Sequence, residues 1–136
     1  MHGAVGDATR FKAYLHDTLN VPQSKLNPNV RLLENDEATR TEILCLFDSH
    51  LLNNPKIQKE KNPTLILYFA GHGGRVAGPK GWKTNDGNVE TICPVDDFTP
   101  DANGKMIMGI PDFTLNAKLD QLAENKGNNI VCCSPL

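Results

Sequence analysis

The longest run of the chain that is apolar at every consecutive position is Leu65-Ile66-Leu67-Tyr68-Phe69-Ala70. Both alternating faces of that run are hydrophobic, which predicts a central parallel strand with helices on either side rather than a strand with one wet face. Pro63 agrees, because proline is accepted at the start of such a strand and not inside it. Elsewhere the apolar spacing is helical. Phe11, Leu15 and Leu19, with Ala8 and Tyr14 alongside, predict a helix over residues 7–19 capped by Asp7. A second helix begins at 35–38, carries Ile43, Leu44, Phe47, Leu51 and Leu52, and ends at Asn53-Asn54-Pro55. A third spans 111–124, with Phe113 or Leu115, Leu119 and Leu122 on one side and Pro111 in its first turn. Short strands are predicted at 30–33, 89–94 and 130–133. The prolines of 21–28, the glycine-rich 75–88 with Trp82, the polar 96–105 and the 125–129 turn read as loops, and 56–62 as a charged link.

Helices alternating with strands in this way predict an α/β fold, a three-layer helix-sheet-helix with a mostly parallel sheet and right-handed crossovers. At 136 residues there is material for one core, so 1–136 reads as a single domain or part of one. A net charge of -2 and a pI near 6.0 give no basic surface for nucleic acid. No apolar run approaches the ~20 residues that span a bilayer, and the N-terminus lacks a signal-peptide pattern. The expectation is a cytoplasmic protein without membrane or nucleic-acid partners. Cys45, Cys93, Cys132 and Cys133 lack zinc-site or disulfide-framework spacing, and are expected as thiols, at most one of them reactive.

Chemistry gathers at the carboxyl ends of strands in such sheets. The apolar run leads directly to Gly71-His72-Gly73-Gly74, leaving an imidazole at the rim. Imidazole titrates near neutrality, so His72 reads either as a general base or as a turn histidine without chemistry. The 130–133 strand would end beside it, bringing a thiol near the imidazole, the minimal pair for thiolate attack on a carbonyl. The Gly71–Gly74 turn lacks the lysine of a phosphate loop and the spacing of a dinucleotide fingerprint.

With these residues in place, the chain resembles the caspase-like cysteine endopeptidases, most closely the fungal metacaspase-like members. The resemblance rests on Gly3-Ala4-Val5-Gly6-Asp7-Ala8, on the strand ending Tyr68-Phe69-Ala70-Gly71-His72-Gly73-Gly74, and on Ile92-Cys93-Pro94-Val95-Asp96. It extends through Ile110-Pro111-Asp112 and Lys126-Gly127-Asn128-Asn129-Ile130 to Cys132-Cys133. It implies the large catalytic part of a caspase-like fold, and hydrolysis of peptide bonds after Arg or Lys in protein or peptide substrates. His72 would be the base, Cys133 the nucleophile by the family pattern Asp-Cys-Cys-His-Ser-Gly, Gly73 an oxyanion donor, and Asp7 part of the pocket for the basic side chain. No cofactor is implied. Some relatives depend on calcium held by aspartates near Asp86 and Asp112, but Pro111 stands where those relatives carry another acid, which implies an incomplete site.

The sequence also departs from that family. An apolar first strand is expected ahead of Gly3, and about four more strand residues, with an acid, ahead of the cysteines; at about 3.3 Å per residue the shorter strand predicts Cys133 roughly 13 Å short of the rim. Ser134-Pro135-Leu136 stands in place of His-Ser-Gly. The expectation is a partial domain, shortened at both ends, with the small-subunit part absent. A second reading therefore stays open: a non-catalytic caspase-like homologue that binds or regulates full-length relatives through an exposed sheet edge.

Overall fold

A computed structural model describes residues 2–22, 29–78, 84 and 86–134. Most of the 21–28 loop and Trp82 with its neighbours lie outside the described residues. The element order is α1 (His2–Leu19), α2 (Arg40–Leu46), β1 (Leu65–Tyr68), β2 (Gly73–Ala77), β3 (Asn88–Ile92), β4 (Ile110–Pro111), α3 (Asp112–Lys126) and β5 (Ile130–Cys133). The architecture is mixed α/β with two small sheets. One is the parallel pair β1–β5, and the other is an antiparallel sheet of three strands in the order β2-β3-β4. The expectation of a mostly parallel sheet is corrected here: among the described residues, two of the five strands are parallel. The cause is local, since β2 turns back onto β3 as a hairpin where a loop was expected.

The parallel pair holds the core. Leu65 is aligned with Ile130 and Leu67 with Cys132. Leu65 packs with Phe47 and Leu122, and Leu51, Leu52, Ile57, Leu67, Leu119 and Ile130 surround them. Side chains alternate along a strand, so Tyr68 lies on the other face, and there the Phe11 ring of α1 stacks on it with centroids 4.2 Å apart. Helical residues thus meet both faces of the pair.

Thr39 caps α2 by accepting from the Glu42 N–H at 3.2 Å. The helix then widens into a π-helical turn at Phe47–Leu52, which keeps Phe47, Leu51 and Leu52 directed at the core. Lysines of α3 tie it to this segment: Lys118 Nζ lies 2.5 Å from Asp48 Oδ1 and 5.6 Å above the Phe47 ring, and Lys126 Nζ donates to the Asn54 and Ile57 carbonyls.

Three local expectations change. Residues 30–33 form no strand. The expected start of the second helix at 35–38 is a 3-10 turn, Asn35–Glu37, and the helix proper begins at Arg40. Asp7 is not a cap, because α1 begins at His2 and Asp7 lies inside it. Among the described residues, no helix is long and apolar enough to cross a membrane.

Candidate active site

The rim above the parallel pair is built by register. Tyr68, the last residue of β1, is aligned with Cys133, and the Phe69 N–H donates to the Cys133 carbonyl at 3.0 Å. Lower down, the Leu65 N–H likewise donates to the Asn129 carbonyl at 3.0 Å. Cys133 is thus level with Tyr68, and His72 lies four residues further along the chain from Tyr68, the offset expected from the short 130–133 strand. The 125–129 segment is taken up partly by α3, which runs to Lys126, and partly by the ladder through Asn129.

Cys132 and Cys133 point to opposite faces of the pair. Cys132 shares the core side with Leu67, and Cys133 shares the Tyr68 side that α1 meets. Cys133 is half-buried and Cys132 exposed. Burial of its sulfur, and next the neighbouring Cys133, push the Cys132 thiol above the usual cysteine value, which disfavours its thiolate at neutral pH.

His72 follows three residues after Phe69 and is exposed. Its backbone is fixed from the other sheet, where the Cys93 N–H donates to the His72 carbonyl at 2.9 Å. The two residues are directly opposite in the β2–β3 register, and their side chains share a face. Gly74, two residues on, leaves room for the sulfur: a Cβ there would lie 3.2 Å from Cys93 Sγ and 3.2 Å from Thr91 Oγ1. Cys93 is a thiol near His72 that sequence reasoning missed, because the hairpin that pairs them runs through the glycine-rich stretch read as a loop. Burial first, then the Asp97 carboxylate, hold the Cys93 thiol above its usual value, so it stays protonated.

Gly73 opens β2 and is aligned with Ile92. No hydrogen bond joins the His72 imidazole to the Cys133 sulfur. The Asp7 carboxylate accepts from Arg10 Nη2 at 2.5 Å within α1, and Arg10 is raised above its ordinary value by that hydrogen bond and charge, with a smaller contribution from Tyr68.

The calcium candidates hold other partners. Asp86 sits at the β2–β3 hairpin, paired with Arg75, and its Oδ1 accepts from the Asn88 N–H at 3.1 Å. The hydrogen bonds from Asn88, and then Arg75, hold that carboxyl below its usual range. Asp112 opens α3 and its Oδ1 accepts from the Phe113 N–H at 2.7 Å. Neither belongs to a group of three or more His, Cys, Asp or Glu able to hold a metal among the described residues.

The imidazole of His72, the half-buried thiol of Cys133 and backbone N–H groups are the kinds of group an acyl-transfer site needs. Comparison with family models, with curated proteins and with solved structures finds no match in any of the three.

Proposed function

We propose that the chain is a cysteine-type endopeptidase domain of caspase-like architecture, with helical layers on both faces of the β1–β5 pair, that hydrolyses peptide bonds after Arg or Lys. The observation that carries this reading is the register at the rim: Cys133 is aligned with Tyr68, and His72 lies a short turn beyond, after Phe69. In the mechanism, His72 takes the proton of the Cys133 thiol, and the thiolate attacks the scissile carbonyl carbon. The oxyanion that forms is held by the Gly73 N–H. Collapse of the tetrahedral species breaks the C–N bond, and the departing amine takes the proton from the His72 imidazolium. Water, deprotonated by His72, then attacks the acyl-thioester and releases the acid and the free thiol. The dyad requires the exposed His72 imidazole and the Cys133 sulfur to come together on substrate binding, since catalytic contacts are often long before substrate binds. Asp7 receives the basic substrate side chain only by exchanging it for Arg10.

One observation favours the second reading. Among the described residues, β1 and β5 pair only with each other, so each leaves an outer edge to which a relative could add a strand. A peptide carrying an electrophile after arginine separates the two. The protease reading expects covalent labelling of Cys133, located by peptide mass mapping, that persists in Cys132→Ala and is lost in His72→Ala. Labelling that is absent, or that ignores His72, overturns it.

A further inference from the structure

We infer that the outer edge of β2 is the track on which an extended peptide substrate lies, pairing through its backbone with Gly73, Arg75 and Ala77. This rests on the protease reading above and assigns that site its mode of substrate capture.

The inference comes from the hydrogen-bond phase of the β2–β3 hairpin. Cys93 N–H donates to the His72 carbonyl at 2.9 Å, and Gly78 N–H donates to the Gly87 carbonyl at 2.8 Å. Both are directly opposite pairs in the same register as Gly73↔Ile92 and Ala77↔Asn88. In an antiparallel ladder, bonded and non-bonded pairs alternate. His72, Gly74, Val76 and Gly78 therefore turn their N–H and C=O groups toward β3, and Gly73, Arg75 and Ala77 turn theirs away from it. β2 is the outer strand of its sheet, with no partner on that side among the described residues. Gly73, Arg75 and Ala77 are also the exposed positions of the strand, whereas Gly74 and Val76 are half-buried.

The free donors and acceptors are thus spaced two residues apart, about 7 Å, which is the repeat of an extended peptide. The first of them is the Gly73 N–H, one residue from His72. A substrate whose scissile carbonyl sits on Gly73 has its neighbouring residues in phase with Arg75 and Ala77. Recognition then comes from main-chain bonds and is tolerant of sequence, apart from the residue in the basic-side-chain pocket.

The test uses the Cys133→Ala chain, which binds without turnover, and a short peptide with a central arginine. Residue-resolved amide hydrogen exchange is expected to show at least tenfold slowing at Gly73, Arg75 and Ala77 on peptide addition, with Gly74 and Val76 changed little because they are already bonded to β3. Arg75→Pro deletes an outward N–H at an edge position where proline is accepted, and should weaken peptide affinity about three- to tenfold relative to Arg75→Ala. Unchanged exchange at Gly74 and Val76 in the free Arg75→Pro chain shows that the hairpin persists. No slowing, equal slowing at all five amides, or equal affinities of the two variants overturns the inference. Labelling of Cys133 by the electrophilic peptide is read separately, so loss of the track leaves the dyad standing, and loss of labelling removes the reading on which the track depends.

Discussion

The parallel pair and the antiparallel sheet are held by different forces. β1 and β5 are short, and their cohesion comes from side chains: Leu65 and Ile130 pack against Phe47 and Leu122, and Leu122 is fully buried. In β3 every second residue is buried, Val89 and Thr91, while Asn88 and Glu90 are exposed. Its neighbour β4 approaches closely because Gly109 carries no side chain: a Cβ there would lie 2.8 Å from the Ile92 carbonyl oxygen and 2.9 Å from Thr91 Oγ1. The rim residues are divided between the two regions, Cys133 on the packed pair and His72 and Gly73 on the hairpin. The lesson is that Cys133 is placed chiefly by a hydrophobic core, and His72 by a hydrogen-bonded ladder whose strands bury only Val89, Thr91 and Ile110, so the two positions are disturbed to different degrees by the same change.

The largest effect should follow Leu122→Ala, which opens a cavity beneath the parallel pair and is expected to lower stability by about 2–5 kcal/mol in urea unfolding. Gly109→Ala comes next. It forces β4 away from β3 and should cost about 1–3 kcal/mol, in the range of other overpacking changes, while amide exchange in β5 remains slow. If Gly109→Ala destabilises more than Leu122→Ala, or releases β5 as readily as β3, the two regions are one cooperative unit and the comparison fails.

The smallest effect is one of pH on the packed side. Burial, ahead of the charge of Arg31, lowers His50 below its ordinary value, against a raising hydrogen bond that the imidazole donates to the Asn29 backbone. A histidine depressed in the folded state is more readily protonated when unfolded, so stability should fall as pH drops below about 6.5, the unfolded value. His50→Gln should flatten the fall in urea midpoint between about pH 7 and 5.5. An unchanged slope would assign it to another group.

The parallel pair and α3 were legible in the sequence because their signals are strong and local. Leu65–Ala70 is uninterrupted, and Leu119 and Leu122 recur at helical spacing before Gly127. The antiparallel sheet was largely hidden. Gly73-Gly74 at the head of β2 carries no apolar alternation, and β4 is only Ile110–Pro111, too short to have a period. Its pairing depends on a long-range register that no window of residues contains. Val30–Leu33 failed the other way, apolar enough for a strand yet without one in the structure. At the site, His72 and Cys133 were legible as residue types at strand ends. The position of Cys93 opposite His72 was not, because it follows from the hairpin alone.

The stacked rings of Phe11 and Tyr68 couple the amino-terminal helix to the last residue before the rim turn. Each ring lies in the magnetic shielding cone of the other, so the aromatic proton frequencies of Tyr68 register whether that helix is docked. The rim end of β1 thereby contains its own spectroscopic gauge of how firmly the amino-terminal helix is seated.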